Sequence, residues 1–115
     1  MEESFITLVG FDSYFGLKPF KVGKLIKLMK DKENNFDDEA ISVEMRHAGK
    51  VAYVSNSTRT VFRGTKSAGR IYDTFGDETY GQVKFIGNGA VIAKILSFDE
   101  INELKENPEC DIHFM

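Results

Sequence analysis

Cys110 is the chain's only cysteine, so no internal disulfide can form and a reducing compartment is the expectation. Tryptophan is absent and proline occurs twice. His47 and His113 are the two histidines, too few to furnish an obvious acid–base or nucleophile–base constellation. Cys110 and His113 would give zinc two ligands where a structural site needs about four, so neither a metal nor a cofactor is expected. No apolar run approaches the ~18 residues of a membrane span. The opening residues, MEESFITL, are acidic and lack an apolar h-region, so no signal peptide is expected. These absences together lead us to expect a cytoplasmic protein without membrane contact, in which the Asn56-Ser57-Thr58 glycosylation match stays idle.

Acidic residues are missing from one stretch altogether. Between Met45 and Tyr72 the charges are Arg46, Lys50, Arg59, Arg63, Lys66 and Arg70. Lys18, Lys21, Lys24, Lys27, Lys30 and Lys32 form a second basic run, broken only by Asp31. The C-terminal stretch reverses the sign, with Asp99, Glu100, Glu103, Glu106, Glu109 and Asp111 facing Lys105 alone. The net charge of −3 therefore conceals a segregation that can create a basic surface for phosphates. Solvated faces that balance one another in the fold would leave the same pattern.

What is present suits one globular domain spanning 1–115, with a core from about 5 to 97 and an acidic helix and tail from 98 to 115. Ten Phe, four Tyr and ten Gly, with many Val and Ile, lean toward strands and turns. Phe5–Phe11 reads as a first strand running into a loop that Pro19 closes. In Lys24–Lys30, Leu25, Ile26, Leu28 and Met29 fall at helical spacing, which favours a helix, although Gly23 and Asn34-Asn35 limit it to about two turns.

Asn34–Asp38 is a turn by chemistry, because Asn and Asp side chains bond to nearby backbone. Ala40–Arg46 alternates as a half-buried strand, and Ala48-Gly49-Lys50 turns it into Val51–Val54. Ser55-Asn56-Ser57 should cap a short helix to about Phe62, and Ser67–Phe75 should form a second. Tyr80–Ile86 and Ala90–Leu96 flank Gly87-Asn88-Gly89, a hairpin signal, and Ser97 caps a last helix, Phe98–Lys105. The expected fold class is mainly β with short helices (α+β): a small barrel or roll with a two-helix insert and a short C-terminal helix.

At Asn34–Val43, N-N-F-D-D-E-A-I-S-V, the chain resembles the signature of HIRAN domains, N-P-Y-D-x-N-A-I-x-V. Val9-Gly10 with Tyr14 and Gly16, then Gly23 with Leu28, then Gly49–Val54 resemble further family segments in the same order, so the resemblance covers about Thr7 to Phe85. It implies a modified OB-like barrel, with Lys24–Lys30 a strand, often attached to helicase or chromatin-remodelling machinery. It also implies a site, since the best understood eukaryotic members recognise the 3′-hydroxyl end of single-stranded DNA with an aromatic–Asp pair in the turn. Carried over, the site comprises Asn34, Phe36 and Asp37 in the turn, Tyr14 after the first strand and Tyr53 in the later strand. Where those binders carry an Arg–aromatic pair after the V-G, this chain has Asp12 and Ser13.

An aromatic ring offers a sequence-tolerant stacking face worth about 1–3 kcal/mol per base. A carboxylate accepts from a terminal hydroxyl and repels a terminal phosphate. Arg59, Arg63, Lys66 and Arg70 could track the backbone phosphates. We therefore expect a non-enzymatic module for single-stranded DNA or RNA ends, with a helicase or nuclease as protein partner. The rival is a protein-interaction adaptor, motivated by Asp12 and the acidic C-terminal helix; a small hydrolase is a third, weaker reading. An ordinary strand-connecting turn with Phe36 folded into the core, and Tyr14 and Tyr53 as core or rim aromatics, would also fit these residues. Gly64-Thr65-Lys66-Ser67 lacks the glycines of a phosphate loop and is set aside.

Overall fold

The computed structural model describes residues 3–87 and 89–115. Six antiparallel strands are Phe5–Val9 (β1), Leu25–Lys30 (β2), Ile41–Met45 (β3), Gly49–Val54 (β4), Glu78–Gly87 (β5) and Ala90–Ile95 (β6). They close into a barrel in the order β1-β4-β3-β2-β5-β6. Two short helices, Ala68–Ile71 (α1) and Phe98–Lys105 (α2), accompany them, so the architecture is a small OB-like barrel. Among the described residues no helix is long and apolar enough to cross a membrane.

The barrel interior is filled from every strand, by Ile6, Leu8, Ile26, Leu28, Ile41, Val43, Val51, Val83 and Val91. Each such side chain contributes about 1.5–3 kcal/mol by leaving water. The pairing explains why Lys24–Lys30 is a strand and not the helix its spacing favours. β2 is bonded on both sides, to β3 and to β5. Ile26 and Leu28 point into the barrel, while Leu25 on the opposite face packs under Leu96 and Ile112 in a second cluster. A strand buried on both faces loses its polar alternation, and here it acquires a helix-like spacing by doing so. Its outer lysine, Lys27, is held by Glu78 at 2.9 Å and by the backbone oxygen of Met115 at 3.3 Å.

Other boundaries shift for identifiable reasons. β1 ends at Val9, and Phe11–Ser13 forms a 3-10 turn, because Gly10 takes a left-handed φ of 75°. The β3–β4 turn comes earlier than expected. His47 and Gly49 both adopt positive φ, and the Ala48 amide donates to the Met45 carbonyl. Between Val43 and Glu44 the register skips Val51, so β4 carries the extra residue of a bulge and bends there. Gly87 pairs with Ala90 across the β5–β6 hairpin; Asn88 lies outside the described residues.

The expected two-helix insert is corrected to one. From Ser55 to about Phe62 there is a single turn, in which the Ser57 carbonyl accepts from the amides of Thr60 and Val61, and no helix forms there. Thr58, Thr60 and Val61 are β-branched, and the serine and threonine hydroxyls bond within the loop instead: Ser57 Oγ accepts from the Arg59 amide, and Ser55 pairs with Thr60. The second expected helix, Ser67–Phe75, shortens to α1, capped by Ser67, followed by a 3-10 turn at Tyr72–Thr74. The last helix, α2, has the expected bounds, while Ile112 beyond it is buried with Leu25 and Leu96. Ser97 and Glu100 form a reciprocal capping box at the start of α2.

Candidate nucleic-acid interface

The Asn34–Asp38 turn is built by its own side chains. Asn34 Oδ1 accepts from the amides of Phe36 at 2.8 Å and Asp37 at 3.0 Å, and Asp37 Oδ1 accepts from the Glu39 amide at 2.9 Å. The Asp31 amide donates to the Ala40 carbonyl at 2.8 Å, closing the loop at its base. With the backbone fixed this way, the Phe36 ring stands out from the surface at 99% exposure rather than folding into the core.

On β4, Tyr53 is paired with Ser42 on one side and Val9 on the other. Its hydroxyl donates to Asp31 Oδ2 at 2.7 Å and accepts from Lys50 Nζ at 2.9 Å. The Tyr53 hydrogen bond, aided by the Lys50 charge, holds the Asp31 carboxyl below its ordinary value. The same hydroxyl raises Lys50, and burial raises the Tyr53 phenol. Each shift favours the form that completes the triad.

After β4, Asn56 crosses to the turn. Its Nδ2 donates to Asp37 Oδ2 at 3.1 Å and to Oδ1 at 3.3 Å, while its Oδ1 accepts from the Gly69 amide at 2.8 Å. Asn34, Phe36, Asp37, Tyr53, Asn56 and Thr60 thereby surround an open pocket of about 320 Å³, at the small end of ligand sites.

Four residues singled out in the sequence meet here: Asn34, Phe36, Asp37 and Tyr53. Tyr14 does not line the pocket; it is 39% exposed just beyond the Phe11–Ser13 turn. Asp12 is exposed and also outside the lining, so no carboxylate from that turn enters the pocket. Arg59 sits between the lining residues Ser57 and Thr60, and Arg63 is exposed beyond them. Lys66 and Arg70 lie further along the surface, Lys66 bonding Ser4 Oγ at 2.9 Å.

Sequence reasoning missed Asn56 and Asp31. Asn56 was visible only as part of a glycosylation match and of an expected helix cap, and its reach to Asp37 is a long-range contact with no local signal. Asp31 looked like a lone acid in a lysine run.

No family model matches the sequence, and no curated protein matches it. Solved structures do. A protein from Lactobacillus plantarum is 21% identical, with a TM-score of 0.57 over 80% of this chain and 88% of that one. The HIRAN domain of human HLTF is 18% identical, with a TM-score of 0.56 over 81% of this chain and 74% of that one. The fold is HIRAN-like. In this HIRAN-like barrel the signature segment Asn34–Val43 forms the β2–β3 connection and most of β3, which places Phe36 and Asp37 beside the end of β4.

Proposed function

We propose that this protein is a non-enzymatic nucleic-acid-binding module that receives the 3′-hydroxyl end of a single strand, DNA or RNA, in the Phe36–Asp37 pocket. The observation that carries the reading is the fully exposed Phe36 ring on the rim of a pocket that also holds a carboxylate. A ring presented at a pocket rim, beside a carboxylate, offers a face on which a terminal base would stack. Asp37 Oδ1 is engaged by Glu39 and Asn56, and Oδ2 by Asn56 alone, which leaves Oδ2 a lone pair for a hydroxyl donor. A terminal phosphate in the same place would meet a like charge. The resemblance of Asn34–Val43 to the signature of strand-end binders supports the same ligand. A helicase or nuclease working on that strand is the protein partner that fits.

The test is fluorescence anisotropy with a short labelled strand ending in a 3′-hydroxyl or a 3′-phosphate. The hydroxyl end should bind at least about tenfold tighter, as one hydrogen bond to a charged group allows. Asp37→Ala should abolish the difference. Absence of binding even at low salt, where phosphate contacts are strongest, overturns the reading.

A second reading, a protein-interaction adaptor, has its own observation. Phe15, Leu17 and Val22 are exposed on the loop from β1 to β2, which also carries the exposed Lys18, Lys21 and Lys24. It expects no salt-dependent affinity for nucleic acid.

A further inference from the structure

The pocket is the first of three hollows that share lining residues. Asn56 lines both the pocket and a neighbouring hollow of about 340 Å³ walled by Thr58, Val61, Thr65 and Arg70. Arg70 in turn lines both that hollow and a cleft of about 680 Å³, whose walls carry Lys66, Lys94, Glu3 and Glu100. Three hollows follow one another, joined at two residues.

Charge changes along the way. The first hollow holds the Asp37 carboxylate, and the second is lined by hydroxyls, an amide and a valine, with Arg70 at its far side. In the third, Lys94 is committed, with its Nζ 2.8 Å from Glu100 Oε2 and 3.4 Å from Glu3 Oε2. Arg70 is not. It is exposed and forms no ion pair among the described residues. Its position is tied to the pocket, because the Asn56 side chain that holds Asp37 also accepts from the amide of Gly69, the residue before it.

We propose that the second and third hollows continue the strand site, with the chain leaving the end pocket over Asn56 and Arg70 clamping an upstream phosphodiester. This rests on the end-binding reading above and adds a length and a direction to it. A guanidinium presents paired donors that match two phosphate oxygens, a geometry a lysine lacks. Arg63, exposed on the same insert, lies off this path and contributes only diffuse attraction.

Anisotropy on the full chain separates these roles, using a thymidine dinucleotide and a thymidine strand of about eight nucleotides, both with 3′-hydroxyl ends. Arg70→Ala should leave the dinucleotide within about twofold, weaken the longer strand about tenfold, and lower its salt slope by about 0.7. Arg63→Ala should weaken the longer strand by no more than about threefold. Equal losses in the two variants, or an equal loss on both ligands, overturn the groove. If Arg70→Ala changes nothing while the hydroxyl preference persists, the groove fails and the end pocket stands. If the protein binds neither strand, both fall.

Discussion

Asn56 donates its amide to both carboxylate oxygens of Asp37, at 3.1 and 3.3 Å, and so joins the signature turn to the insert. Asn56→Asp keeps the oxygen that accepts from Gly69 but sets a new carboxylate against Asp37 and Glu39. Like charges so placed raise the carboxyl pKa values in the folded state above their unfolded values. The penalty is therefore present at neutral pH and disappears as acid protonates the cluster. We expect the variant to lose about 1 kcal/mol at neutral pH, a loss typical of exposed charge pairs. Thermal melts taken at neutral pH and again near pH 4 should show the gap closing; a constant gap would assign the loss to packing.

Phe36→Ala separates binding from folding. The ring is fully exposed, so urea unfolding should move by less than about 0.5 kcal/mol. Strand affinity should fall about tenfold or more, the worth of one base stack. A large stability loss would mean that the ring packs against the protein in solution.

The Asp31–Tyr53–Lys50 triad sets a pH window. The Asp31 carboxyl, lowered from 3.8 by the Tyr53 hydroxyl and Lys50, contributes stability that is present above that value and lost as pH falls through its folded value. Lys50 and Tyr53 are both raised, from 10.5 and 10.0, so their contribution is present below those values and lost as pH rises through the folded ones. Tyr53→Phe should cost about 1 kcal/mol at neutral pH. Denaturant titrations of both proteins across pH should show that difference shrinking at the acid end and again at the alkaline end.

Leu28→Ala and Leu25→Ala test the two faces of β2. Leu28 is fully buried in the barrel, and its truncation should cost about 2–5 kcal/mol of global stability in denaturant. Leu25 lies in the cluster with Leu96 and Ile112. Its truncation should loosen the C-terminal segment first. Hydrogen exchange should show faster exchange at residues 111–114 before the barrel strands are affected.

How far the sequence carries the fold depends on how local the deciding forces are. The Asn34–Asp38 turn, the Ser97 cap and the Ala90–Ile95 strand were readable because side chains within a few residues decide them. β2 needed the family resemblance, because its spacing is set by Leu96 and Ile112, far away in the chain. The insert misled for the opposite reason. Ser55 and Ser57 look like helix caps, yet in the fold Ser55 pairs with Thr60 and Ser57 bonds the Arg59 amide within the loop.

The candidate site divides the same way. Phe36 and Asp37 sit in one short motif, and a pattern reveals them. Asn56 and Asp31 act through partners about twenty residues distant, which no local pattern encodes. Tyr14 was carried in by family position alone, and a 3-10 turn leaves it outside the pocket.

Closure of the barrel restricts how any partner can dock. Among the described residues every strand has a partner on both sides, with β1 and β4 meeting at Leu8–Val54 and Val9–Tyr53. Closure leaves little edge for an extended peptide to join as an extra strand or for copies of the protein to stack edge to edge. Recognition is left to loops and side chains at the barrel's ends, where a change of ligand requires new residues on a turn and no rearrangement of the sheet.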